Sequence, residues 1–196
     1  TVTEYTVTSD PDELTVTATG FDAGLKTTTD FGYGTDGAHE LAVLDSGKIL
    51  VGGQVYNGTD YDFALARYDS DGNLDTTFGS SGWTTTDFGY GSDVIRAITE
   101  LDSGEILAAG YSYNGTDYDF ALARYSSKGN LDTTFGSGGK TTTDFGYGSD
   151  VAYTLTILDS GKILVAGYAY NGNTYDFALA RYDSDGTLDT TFGSSG

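Results

Sequence analysis

The apolar positions of this chain fall in short runs of β-formers, separated by turns of Gly, Asp, Ser and Asn, and no stretch carries them at helical spacing. The pattern is clearest near the C-terminus. Val151 to Leu158 is one such run, Asp159-Ser160-Gly161 is a turn, and Lys162 to Tyr170 is a second run. Asn171-Gly172 is a strong hairpin signal, since both residue types accept positive φ. Tyr175 to Tyr182 is a third run, Asp183-Ser184-Asp185-Gly186 turns the chain again, and Leu188 to Phe192 begins a last extended piece. A Thr-Thr-Thr-Asp-Phe segment, rich in β-branched residues, would complete that outer strand. The pattern predicts about four antiparallel strands per unit.

The middle strands say how such units pack. Ile163, Leu164, Val165 and Ala166 are apolar on both faces, so the sheet is covered on both sides. In Phe177-Ala178-Leu179-Ala180 one face carries Phe and Leu and the other only Ala. A large face and a small face suit like units stacked against each other, and a radial stack of four-stranded sheets is a β-propeller.

The unit recurs. Thr-Thr-Thr-Asp-Phe-Gly-Tyr-Gly begins at Thr27, Thr84 and Thr141, Asp-Phe-Ala-Leu-Ala-Arg-Tyr at Asp62, Asp119 and Asp176, and Leu-Asp-Thr-Thr-Phe-Gly-Ser at Leu74, Leu131 and Leu188. Each step is about 57 residues, a period that means a propeller, solenoid or array. The expected division is an arm or hairpin over 1–26 and repeats over 27–83, 84–140 and 141–196, the last without its outer strand. The expected fold is all-β: three tandem propeller-like blades, completed by strand exchange between chains.

These motifs, together with Gly-Lys-Ile-Leu-Val-Ala-Gly at Gly161–Gly167, resemble the delta-60 repeat family. The resemblance covers residues 27–196. It implies β-propeller blades in a large secreted or surface bacterial protein, and it supplies no catalytic residues.

Composition narrows the chemistry. The 196 residues include 29 Gly, one His and no Cys or Met. Without Cys there is no disulfide framework, thiolate metal site or thiol nucleophile. A formal charge of -20 repels nucleic acid and anionic membranes. No run of apolar residues is long enough for a membrane-spanning helix. Opening at Thr1 without Met fits a mature or trimmed secreted piece. Near-identical copies also speak against an enzyme, whose active site is usually one diverged constellation, and no catalytic residue is expected. His39, aligned with Arg96 and Tyr153, occupies a position that tolerates any polar or large residue.

Stacked blades pose a burial problem. Three blades leave two apolar end faces, and at roughly 400 Å² each the unmet burial is roughly 10 kcal/mol per face. The ends of the chain suggest an answer. Lys26, Thr27, Thr28, Thr29, Asp30 and Phe31 form an outer strand with no preceding repeat to receive it, while the third repeat lacks one. One chain's strand can therefore complete another's last blade by β-augmentation. That gives a closed six-bladed dimer or an open head-to-tail filament; a piece of a longer array would have the same ends. The N-terminal arm could lie on a neighbouring subunit or cap the first blade.

Other candidates have plainer readings beside the functional ones. Asp69, Asp71, Asp75 and their counterparts Asp183, Asp185 and Asp189 present carboxylates at alternate positions, which as a cation loop would take calcium. The second copy has Ser126 and Lys128 at the first positions, which favours a turn. No other cofactor is expected. Asn57 and Asn114 sit in N-glycosylation sequons that hairpin turns explain equally. Arg67, Arg124 and Arg181 are expected to pair with a nearby Asp. Tyr33, Tyr90 and Tyr147, in Gly-Tyr-Gly loops, could stack on sugars, the partner class of a multivalent adhesin; Trp83 reads as semi-exposed. The first reading is an extracellular structural repeat protein whose partner is itself; the second is a glycan- or calcium-binding adhesin.

Overall fold

The computed structural model describes residues 4–10, 13–19, 26–32 and 34–193, and every regular element among them is a strand. A first three-stranded sheet has the order β1-β2-β3, with β1 (Glu4–Asp10), β2 (Glu13–Thr19) and β3 (Lys26–Thr28). A four-stranded sheet follows: β4 (Gly37–Val43), β5 (Ile49–Tyr56), β6 (Tyr61–Tyr68) and β7 (Trp83–Thr86). The next repeats it with β8 (Asp93–Glu100), β9 (Ile106–Tyr113), β10 (Tyr118–Tyr125) and β11 (Lys140–Thr143). The last has three strands, β12 (Val151–Ile157), β13 (Ile163–Tyr170) and β14 (Tyr175–Tyr182). All neighbours are antiparallel. The sheet runs one strand behind the sequence repeat: Thr84–Thr86 opens a repeat but closes the sheet of the one before.

The stack follows from the two-faced strands. Phe63 and Leu65 of β6 pack in one buried cluster with Ile95 and Ile98 of β8 and with Ala121 and Ala123 of β10, so the large face of one blade meets the small face of the next. Phe120 and Leu122 repeat this against Ala152, Ala178 and Ala180. Hydrogen bonds tie the same boundaries. Tyr125 Oη donates to Thr86 Oγ1 at 2.7 Å, and Arg67 and Arg124 reach the carbonyls of Ser127 and Ser184 in the following blade.

The Asn-Gly hairpins are four-residue loops between strand ends at the expected residues, Tyr170 and Tyr175 in the third repeat; Gly58, Gly115 and Gly172 have positive φ, but the Asn residues do not. The Asn side chain explains this, since Asn57 Oδ1 accepts hydrogen bonds from the amides of Thr59 and Asp60 and fixes a wider loop. The segments from Leu74, Leu131 and Leu188 are single bridges followed by turns, not extended pieces. Asp75 Oδ1 accepts from Thr77 N at 3.1 Å and bends the chain there. The turn at Pro11-Asp12 and the ring of Tyr33 lie outside the described residues.

Candidate functional site

The third blade is built like its predecessors up to β14, and there the pairing stops. In the first blade β6 receives β7 through Phe63↔Thr86, Ala64↔Thr85, Leu65↔Thr84 and Ala66↔Trp83. In the second β10 receives β11 in the same register. β14 has the same sequence, Tyr-Asp-Phe-Ala-Leu-Ala-Arg-Tyr, but among the described residues no strand lies on its outer edge. Its face is equally unmatched. Phe63 and Phe120 are fully buried, whereas Phe177 is 98% exposed; Leu65 and Leu122 are buried, whereas Leu179 is 47% exposed. Tyr153 and Tyr175 stand exposed on the same blade, and with Tyr168 and Phe177 they line an open cleft of about 660 Å³.

In the inner blades this face is filled by three things. Phe88 lies edge-on to Phe63 with ring centroids 4.9 Å apart, as Phe145 does to Phe120 at 5.0 Å. The first strand of the next blade brings Ile95 and Ile98, or Ala152 and Leu155. The outer strand closes the edge. Phe31 is the equivalent of Phe88 and Phe145 in the strand segment of residues 26–31.

That segment is not unmatched within the chain, contrary to the sequence expectation. β3 pairs with β2 through Thr15↔Thr28, Val16↔Thr27 and Thr17↔Lys26. The hairpin β1–β2 thus occupies the place of two middle strands, so β1 and β2 supply a partial blade that lies against β4. Thr29 accepts from Tyr68 Oη at 2.8 Å, Asp30 Oδ1 accepts from Gly32 N at 2.7 Å, and Phe31 packs on half-buried Trp83 with centroids 4.9 Å apart. Among the described residues the N-terminal sheet has no first strand and the C-terminal sheet no fourth, so the two sheets are complementary.

The acids of the turns do not converge on a cation site. Asp75 accepts from Lys48 Nζ at 2.6 Å and Arg67 Nε at 2.8 Å. Burial alone would raise its pKa, but the hydrogen bonds from Lys48, Thr77 and Arg67 outweigh this and hold the carboxyl well below the usual range. Asp189 is held down likewise by Thr191, Lys162 and Arg181. Asp132 pairs with Arg124 at 2.8 Å, so all three expected arginine–aspartate pairs form. Each guanidinium also stacks on a Phe, with Arg67 4.6 Å from the centroid of Phe78. Asp69 Oδ1 caps its own turn by accepting from the amides of Asp71 and Asn73, each at 2.9 Å. Asp183 pairs with Lys162, and Asp185 accepts from Thr187 N. The sequon residues Asn57 and Asn114 use their side-chain amides internally, donating to Asp62 and Asp119.

The aligned row His39, Arg96 and Tyr153 has a structural role that the sequence reading did not assign it. His39, Arg96 and Tyr153 are the extra residues of β-bulges in β4, β8 and β12. The bulges bring the three side chains into one row across neighbouring blades. Arg96 Nη1 lies 3.2 Å from His39 Nδ1, and its guanidinium carbon lies 5.9 Å from the Tyr153 ring centroid. Burial, then the Arg96 charge, push the His39 pKa down. The available signal was a fixed repeat position carrying three different chemistries. Gly53, Gly110 and Gly167 pack against the bulge so closely that a Cβ at Gly110 would lie 1.9 Å from the Val94 carbonyl oxygen.

Stacked four-stranded antiparallel blades at a 57-residue step define a β-propeller repeat domain. A family model described as "Domain of unknown function (DUF5122) beta-propeller" matches residues 45–78, 102–135 and 159–192, together just over half of the chain, and the chain belongs to that family. Each match spans the two middle strands and the turns on either side of them. The comparison with curated proteins gives no match.

Proposed function

We propose that this protein is a non-enzymatic structural module, secreted to the cell exterior, that self-assembles by completing the third blade of one copy with the 26–31 strand of another. The observation that carries the reading is the contrast between Phe177 and its buried counterparts Phe63 and Phe120. A sheet face that is core in two blades and solvent-exposed in the third is a blade–blade interface with one side absent. The occupant is a second copy. In the inner-blade register, its Thr29, Thr28, Thr27 and Lys26 pair with Phe177, Ala178, Leu179 and Ala180, and its Phe31 reaches Phe177. Its own β1–β2 hairpin holds β3 through three residue pairs until the exchange, whereas a β14-type strand offers four. The exchange is heterologous, so it yields a ring where the rotation closes and a filament where it does not.

Engineered cysteines test the register directly, because the chain has none of its own. In the combined Thr28→Cys and Ala178→Cys variant, facing Cα atoms would sit about 4.5–5.5 Å apart, within disulfide reach. Oxidation should give ladders of chain multiples on a non-reducing gel. Monomer alone, linked internally or not at all, overturns the proposal.

The aromatic cleft supports a second reading, a glycan-binding adhesin in which Tyr153, Tyr175 and Phe177 stack on sugar rings. Saturation-transfer NMR with soluble oligosaccharides tests it; transfer that survives Phe177→Ala would place sugar binding elsewhere.

A further inference from the structure

The two blade boundaries inside the chain each gather three aspartates that strand exchange does not use. At the first, Asp62 of β6, Asp87 after β7 and Asp93 of β8 each place a carboxylate oxygen so that all lie within 4.8 Å of one another. Asp119, Asp144 and Asp150 repeat the arrangement at the second. These are not surface acids drifting together. Asp62 is 7% exposed, Asp119 is 6%, and Asp93 and Asp150 are fully buried; Asp87 and Asp144 close each group from the solvent side.

The hydrogen-bond accounting leaves oxygens over. Asp62 Oδ2 accepts from Asn57 Nδ2 at 3.1 Å, Asp87 Oδ1 from Gly89 N at 2.5 Å, and Asp93 Oδ2 from Phe88 N at 2.7 Å. Asp62 Oδ1 and Asp93 Oδ1 are buried with no donor, and so is Asp119 Oδ1 in the second group. Asp150 Oδ1 has one long bond, from Tyr170 N at 3.2 Å. No Lys or Arg forms a salt bridge with any of the six among the described residues. Lys140 Nζ donates to the main-chain carbonyl of Asp87, not to its carboxylate. Buried acceptors without donors are rare because their desolvation is uncompensated. Burial, reinforced by the charges of Asp87 and Asp62, raises the Asp93 carboxyl to about 7, and Asp62, Asp119 and Asp150 move in the same direction.

A hard divalent cation resolves this arrangement. The donors are all oxygen, without His or Cys, which suits calcium or magnesium rather than zinc or copper. Carboxylates arriving from three separate segments suit the irregular six-to-eight-oxygen shell of calcium better than the strict octahedron of magnesium, with water and main-chain carbonyls filling the remainder. We propose that each internal blade boundary binds one calcium ion, held by Asp62, Asp87 and Asp93 at the first and by Asp119, Asp144 and Asp150 at the second. Each ion joins an acid from one blade to the inner-strand acid of the next and so clamps the stack. The sites lie within one chain and stand whether or not copies assemble.

Calorimetric titration of chelator-treated full chain with calcium chloride tests this, paired with thermal unfolding. Two equivalents should bind, and calcium at about a hundredfold over its dissociation constant should raise the midpoint by about 10–20 °C, half of it from each site. Asp93→Asn and Asp150→Asn should each lose one equivalent. Both should fold without calcium, because the neutral amide relieves the buried repulsion. Asp69→Asn with Asp71→Asn, in the turn, should retain both equivalents. Terbium luminescence sensitised by Tyr118, whose carbonyl accepts from Asp150 N at 2.5 Å, reads the unaltered protein and should be displaced by calcium. Absence of binding heat, a midpoint shift matched by sodium chloride at equal ionic strength, or two equivalents in the Asp93→Asn/Asp150→Asn variant would overturn the proposal. An equal response to magnesium would overturn the choice of calcium.

Discussion

Phe120 and Phe177 occupy the same place in identical eight-residue strands, yet one is fully buried and the other 98% exposed. Replacing each by Ala therefore separates the energetics of the chain from those of its assembly. Phe120 packs edge-on against Phe145 with Leu122 beside it, so Phe120→Ala leaves a cavity at a blade boundary. Such truncations cost about 3–5 kcal/mol. At about 2–4 °C per kcal/mol for a chain of this size, the midpoint should fall by about 6–20 °C. Phe177→Ala removes atoms that already face water and should change monomer stability by less than about 0.5 kcal/mol. Its effect should emerge only when copies meet. If Phe177 becomes core there, a loss of about 3 kcal/mol raises the concentration needed for assembly about a hundredfold. Circular dichroism melts at low concentration read the first quantity, and light scattering over a dilution series reads the second. Equal destabilisation of the dilute protein by the two variants would refute the reasoning, as would an assembly threshold indifferent to Phe177→Ala.

Three further outcomes follow from single residues. Gly110→Ala should be severely destabilising in chemical denaturation, by about 3 kcal/mol or more, because its Cβ would meet the Val94 carbonyl oxygen at 1.9 Å and the bulge would have to move; a change under about 1 kcal/mol would show that the bulge yields easily. Tyr125→Phe should cost about 1–2 kcal/mol by thermal unfolding, since it deprives buried Thr86 of its partner across the first blade boundary. In calcium-free buffer the Asp93 carboxyl, about 7 in the fold against an ordinary 3.8, should make stability fall as pH rises between those values. The unfolded chain has by then released a proton that the folded one keeps, so Asp93→Asn should flatten this part of the pH–stability curve, and an unchanged slope would show that Asp93 is not the group responsible.

The sequence was most legible where chemistry repeats. The 57-residue step, the turn motifs and the Phe/Leu-against-Ala faces of β6, β10 and β14 together specify stacked four-stranded sheets, and these are the sheets that form. The arginine–aspartate pairs were legible too, because Arg67 and Asp75 recur eight residues apart at a strand and its following turn. Other features depend on contacts distant in sequence. β2 takes the role of β6 for β3 without sharing its motif, so only pairing register reveals that the 26–31 strand has a place within its own chain. The acid triads combine a strand residue, Asp62, with Asp87 and Asp93 from the next repeat. In an acidic chain such a spacing carries no signal until the blades are stacked. The turn acids looked more like a cation site because they are contiguous, yet Lys48, Arg67, Lys162 and Arg181 neutralise several of them.

The central claim, that the open third-blade face is completed by another copy, is tested most directly by absolute mass in solution. Light scattering after size exclusion should give the unaltered protein a mass that is a multiple of 20.6 kDa and rises with concentration toward a closed ring or a filament. Phe177→Asp should return it to a single folded chain. A mass of one chain at every concentration would contradict the account.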